Sequence, residues 1–139
     1  MRLLLDTHIF LALLGSSGAA NLPAVTAALL ADDQAEPHLS AASLWEIAIK
    51  CRLGKLKLQV DLDALPEIIG GLGIQIVAIT ELHALAALNP EPMTRDPFDR
   101  MLLAQCQIEG FKLVTIDRAL VSHPLAASMP SAGAPKGRR

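Results

Sequence analysis

In the stretch Arg95-Asp96-Pro97-Phe98-Asp99-Arg100, two carboxylates stand three residues apart between two arginines, at the head of an apolar run through Met101, Leu102, Leu103 and Ala104. On a helix that spacing puts both acids on one face, aimed at the same place. The same residues also make an ordinary helix start, with Asp96 as N-cap, Pro97 in the first turn and Asp99 where an acid favours the exposed amides and the helix dipole. Three further acids stand where acids are awkward. Asp6 follows Leu3-Leu4-Leu5, and Asp117 follows Leu113-Val114-Thr115-Ile116. Each can cap the segment after it. That two apolar runs from opposite ends of the chain finish alike points beyond capping. Glu46 lies inside a helical pattern and shares a face with Ala42, Ile49 and Leu53, so it is expected to be at least half buried. A buried carboxylate needs a partner. Ser43 in a capping box, Lys50 one turn on, and a divalent cation shared with the other acids are the three on offer.

Oxygen donors gathered in one crevice, with no His/Cys ligand cluster, suit Mg2+ or Mn2+ rather than zinc. Left without a cation, such acids repel one another and raise some of their pKa values. A hard cation activates water and stabilises the charges of phosphoryl chemistry, so hydrolysis of a phosphodiester is the expected reaction. Thr7 and Thr115, beside the acidic ends, either orient water or join the caps. Lys50, Arg52, Lys55 and Lys57 form a basic stretch that can track a phosphate backbone or simply be a solvated helix face. Arg95 and Arg100 can hold a phosphate by the site or pair with Asp96 and Asp99. His8 is solitary. Trp45, the only tryptophan, is expected to pack in the core or an interface rather than to stack on a base. Two other classes compete. A receiver- or phosphatase-like domain would use Asp6 as nucleophile, but Asp6-Thr7-His8 lacks the second Asp of the phosphatase pattern and leaves Glu46 without a role. A non-catalytic interaction domain would keep its acids for structure.

The elements that must position these residues alternate. An apolar run over 2–5 reads as a strand, 8–14 as a helix ended by Gly15, and 15–22 as a Gly/Ser/Ala loop. Pro23 opens a helix to about residue 31, 37–39 reads as a second strand, and Ser40 or Ser43 caps a helix over 41–53 ended by Gly54. Residues 55–60 are an extended connection or a short strand, and 61–69 a helix broken by Gly70-Gly71. A β-rich run over 74–79 leads to Thr80, the cap of a helix over 81–88. A loop with two prolines follows, then a helix over 97–109 with Gly110 beyond it, and a last strand over 111–116. Short apolar strands alternating with helices predict an α/β fold with a mostly parallel central sheet covered on both faces, a three-layer α/β/α sandwich. Sites in such sheets form beyond the carboxyl ends of the strands, where Asp6 and Asp117 stand.

At 139 residues the chain has room for one domain, expected over 1–122, with 123–139 as a mobile tail rich in Pro, Ala, Ser and Gly. Hydrophobic residues make up 52% and aromatics 3%, so the core is aliphatic and the apolar surplus hints at a subunit interface. The formal charge of −2 gives no global basic field, so any contact with phosphate is local. Cys51 and Cys106 are lone cysteines, consistent with the reducing cytoplasm. Asp6 and His8 interrupt the apolar N-terminal stretch, which therefore is not read as a signal peptide. No apolar run is long enough to span a membrane.

The motifs LLLDTHIFL, SAASLWEIAIKCRLGKL, RDPFDRMLLAQC and LVTIDRAL, in this order and spacing, resemble those of the PIN-domain ribonucleases, and specifically the VapC-like toxins of bacterial type II toxin–antitoxin pairs. The resemblance runs from Leu3 to about Leu120. It implies a PIN-like sandwich whose acidic quartet, Asp6, Glu46, Asp99 and Asp117, binds Mg2+ or Mn2+ and cleaves RNA. Asp96 would be an accessory acid and Thr115 the polar companion of the last one. It also implies a homodimer silenced by a cognate antitoxin. Family members often carry histidine just before the RDPFDR stretch, where this chain has Met93-Thr94.

Overall fold

The computed structural model describes residues 1–15 and 22–127. Among the described residues four strands form one sheet: β1 (Arg2–Leu5), β2 (Glu36–Ser40), β3 (Gln75–Val77) and β4 (Lys112–Val114). All pairings are parallel, in the order β3-β2-β1-β4, so β1 lies between β2 and β4. Parallel neighbours require crossovers, and the helices supply them. These are α1 (Thr7–Leu14), α2 (Ala24–Ala31), α3 (Ala41–Arg52), α4 (Leu65–Gly71), α5 (Glu81–Leu85) and α6 (Pro97–Glu109).

The three leucines of β1 divide between two cores because successive strand residues face opposite ways. Leu3 and Leu5 pack with Ile9, Phe10, Leu39, Ile47 and Ile69 on one side. Leu4 packs with Leu102, Leu103, Cys106, Phe111 and Leu113 on the other, under α6. A strand buried on both faces reads as an unbroken apolar run, which is what the N-terminus is. The result is the expected three-layer α/β/α sandwich on a parallel sheet. Burial pushes the Cys106 thiol up to about 12, making it a packing residue.

Several expected elements come out shorter or differently placed. Residues 55–60 form no strand; Leu56 and Leu58 pack onto the first core instead of pairing at a sheet edge. The segment after Asp61 starts as a 3-10 turn, Leu62–Ala64, and α4 then runs through Gly70 and Gly71. Gly73, at φ 77°, makes the reversal. β3 stops at Val77, beyond which the Ala78 carbonyl accepts from Gln105 Nε2. α5 stops at Leu85, and the Ala87 carbonyl accepts from Gln107 Nε2. The fold also extends past the expected boundary at 122. Leu113 N–H donates to Leu125 O at 2.8 Å and Ala127 N–H to Leu113 O at 2.8 Å, laying this segment along β4. His123 is buried and its Nε2 is 2.9 Å from Pro90 O. The rest of the expected tail, 128–139, and residues 16–21 of the expected loop lie outside the described residues.

Candidate active site

Because β1 and β4 are parallel neighbours, their carboxyl ends deliver Asp6 and Thr115 side by side. Asp6 N–H donates to Val114 O at 2.9 Å, and the Thr115 hydroxyl donates to Asp6 Oδ2 at 2.7 Å. The Asp6 side chain makes no capping bond to α1, so its expected use as a helix cap is not what holds it. Burial raises its pKa most, and the Asp117 charge adds to that; the Thr115 hydroxyl, His8 and the Thr7 amide pull the other way. Asp117 N–H donates to Thr115 Oγ1 at 3.0 Å, and Asp117 Oδ1 accepts from Ala119 N–H at 2.8 Å. Here the capping role is real, and it engages one carboxylate oxygen.

The head of α6 brings the second group. Asp96 Oδ1 accepts from Phe98 N–H at 2.8 Å, the expected cap. Asp99, one turn into the helix, accepts on Oδ2 from the Thr94 hydroxyl at 3.2 Å. Its pKa is raised to about 6, first by burial and then by the charges of Asp96, Asp6 and Asp117, with the Thr94 bond opposing. Acids from the first strand, the last helix and the last strand therefore feel one another. Thr94 was not singled out by sequence as a site residue; a threonine two residues before an N-cap Asp was the available signal.

Glu46 is engaged by a partner on its own helix. Its side chain is only 12% exposed, as its helical face predicts, but Oε2 lies 3.0 Å from Lys50 Nζ. Of the two protein partners weighed for it, Ser43 and Lys50, the ion pair with Lys50 is the one formed. Ser40, not Ser43, caps α3 by accepting from Ala42 N–H at 2.9 Å. Ser43 instead accepts from the Thr7 hydroxyl at 2.9 Å, tying α3 to the residue next to Asp6. Glu46 is three residues beyond Ser43, on the same helical face. Of the expected phosphate-binding residues, Lys50 is paired with Glu46 and Arg100 with Glu91, through Nη2 at 2.6 Å. Arg100 Nη1 also donates to Thr94 O at 3.0 Å, so this guanidinium braces a loop. Arg52 and Arg95 are exposed. Trp45 is 62% exposed and meets Phe98 edge-on at 5.6 Å, which removes it from the core.

Residues 3–124 match the PIN domain. The chain belongs to the PIN domain family. PIN domains are generally metal-dependent nucleases. None of the curated proteins compared with this PIN domain matches it. Its donors fit a hard divalent cation in kind: all are carboxylate or hydroxyl oxygens, and like charges already raise Asp99. In Asp99 and Asp117 one oxygen is engaged, while the other accepts no hydrogen bond among the described residues. Among the described residues no three His, Cys, Asp or Glu side chains stand together as a ready ligand group. The fourth expected acid, Glu46, is paired with Lys50.

Proposed function

We propose that this PIN domain is a Mg2+- or Mn2+-dependent endoribonuclease, the toxin of a toxin–antitoxin pair, acting in the cytoplasm as a homodimer silenced by a cognate antitoxin. The observation that supports the nuclease assignment is Asp99 on α6, raised to about 6 first by burial and then by the charges of Asp96, of Asp6 at the end of β1 and of Asp117 beyond β4. Acids brought close repel one another, and a bound cation relieves that repulsion. Asp6, Asp99 and Asp117 would hold that cation, and Glu46 would join by exchanging Lys50 for it. When bound, it supplies an acidified water and charge neutralisation for phosphodiester hydrolysis. Thr115 holds Asp6 by its hydroxyl, and Thr7 holds the head of α3 through Ser43. Asp96 fixes the first turn of α6 and adds to the negative field at Asp99. Arg52 and Arg95, exposed at the surface, are the cations available for the RNA backbone. The toxin role rests on the motifs shared with VapC-like proteins. Among the described residues no helix is long and apolar enough to cross a membrane.

Incubation of the purified chain with RNA tests this. Internal cleavage is expected with Mg2+ or Mn2+, none with excess chelator, and a loss of about a hundredfold or more in Asp6→Asn, which keeps an acceptor for Thr115. RNA cleaved equally well in chelator or by Asp6→Asn refutes it. Absence of Mg2+ and Mn2+ binding in calorimetry would favour a non-catalytic interaction domain.

A further inference from the structure

We propose that Thr94 is a positioning residue for Asp99: its hydroxyl sets the orientation of that carboxylate, and Arg100 locks Thr94 in place to do so. The inference rests on the assignment of Asp99 as a cation-binding acid.

Thr94 is 8% exposed, although it follows Met93, which is 89% exposed, in the loop before α6. A small polar residue buried between exposed neighbours is held by its own bonds. The hydroxyl donates to Asp99 Oδ2 at 3.2 Å and accepts the Asp96 N–H at 3.2 Å. A hydroxyl has one proton, and with its lone pair taken by an amide, that proton is directed to the carboxylate. The backbone of the same residue is fixed from the other side, where its carbonyl accepts from Arg100 Nη1 at 3.0 Å. The second arm of that guanidinium is held by Glu91 at 2.6 Å. The planar fork of Arg makes two such bonds at once in a set geometry, which a lysine cannot. Asp99 and Arg100 are adjacent in the chain, so one turn of α6 supplies both the acid and the clamp on its orienting hydroxyl. With Oδ2 engaged, Oδ1 is the oxygen left for a cation. A hydroxyl that only stabilised the turn before α6 would need its bond to Asp96 N–H and none to Asp99.

Mn2+ binding to the full chain, followed by the electron paramagnetic resonance of the free ion, tests the proposal alongside thermal melts. Thr94→Val keeps the shape and removes the hydroxyl. It is expected to weaken Mn2+ binding about 10- to 100-fold, the range usual for groups that orient metal ligands. Thr94→Ser, which restores the hydroxyl, is expected to bind within about threefold of wild type. Arg100→Met keeps the hydroxyl and frees its backbone, and a loss of several-fold is expected; this variant decides the matter if Thr94→Val does not fold. Wild-type Mn2+ affinity in a folded Thr94→Val, or in Arg100→Met, overturns the proposal, as does Thr94→Ser as weak as Thr94→Val. If the wild-type chain binds no Mn2+, the nuclease assignment and this inference both fall; if it does and Thr94→Val matches it, only this inference falls.

Discussion

At Asp99 the protein holds an acid against its own preference. A carboxyl raised from 3.8 to about 6 on folding binds its proton more tightly in the native chain than in the unfolded one. Its contribution to stability is therefore full below the unfolded value and disappears as pH rises through the folded one. Burial raises Asp6 in the same direction. The metal-free chain is thus expected to melt at lower temperature at pH 7.5 than at pH 4.5 on account of these groups. Asp99→Asn removes the charge that causes the loss, so it should melt higher than wild type at pH 7.5 and flatten that pH dependence while abolishing RNA cleavage. Differential scanning calorimetry in chelator measures the first effect, and an unchanged melting temperature would contradict it. For the wild type, cleavage should fall at acidic pH, where protons compete with the cation for Asp99. The acids were legible in the sequence because an Asp after three leucines has few uses. Thr94 was not, since a loop threonine has many. Nor was the partner of Glu46, because Ser43 and Lys50 stand at equally plausible spacings and only the fold decides between them.

The helix α6 brings Asp96 and Asp99 to the site, and its ends are written locally in the sequence. α6 has Asp96, Pro97 and Gly110 as boundary signals, and it spans the expected 97–109. Gly110 sits at φ 81°, where a side chain is strained, and an added Cβ would meet only Arg2 Nη1 at 3.7 Å. Gly110→Ala is therefore expected to cost about 1 kcal/mol through backbone conformation, lowering the melting point by about 3–4 °C with RNA cleavage retained. Strand limits were less legible, because pairing is set by distant residues. β3 ends where Gln105 takes the Ala78 carbonyl, and 74–79 contains no sign of that. The Glu46–Lys50 pair of α3 is an i,i+4 ion pair with Lys50 partly exposed. Such pairs contribute about 0.3–0.5 kcal/mol. If Glu46 must leave Lys50 to meet a cation, Lys50→Met should strengthen Mn2+ binding by about twofold. Weaker or unchanged affinity would mean that Glu46 remains outside the site.

The sandwich buries two aliphatic cores, one on each face of the sheet, yet its largest aromatic side chain remains outside both. Trp45 and Phe98, with Ala42, Ile79, Pro97 and Met101, line an apolar slot of about 290 Å3 between α3 and α6. Exposed aromatic and aliphatic groups gathered on one side of a molecule mark an interaction surface more often than chance. The apolar surplus of the composition pointed to such a surface without locating it, since Trp45 shares its helix with residues that are buried. The slot adjoins the head of α6, so a second copy seated there would brace the turn that bears Asp96 and Asp99. Trp45→Glu puts an uncompensated charge at its centre, where aromatic residues usually carry most of the binding energy. Sedimentation velocity should then find the wild type at twice the 14.7 kDa chain mass and Trp45→Glu at the single mass, still folded by circular dichroism because the residue belongs to neither core. A Trp45→Glu chain that still dimerises would move the interface to another face, while a wild type monomeric at high concentration would remove the homodimer from the proposal and leave the acidic edge of the sheet to act alone.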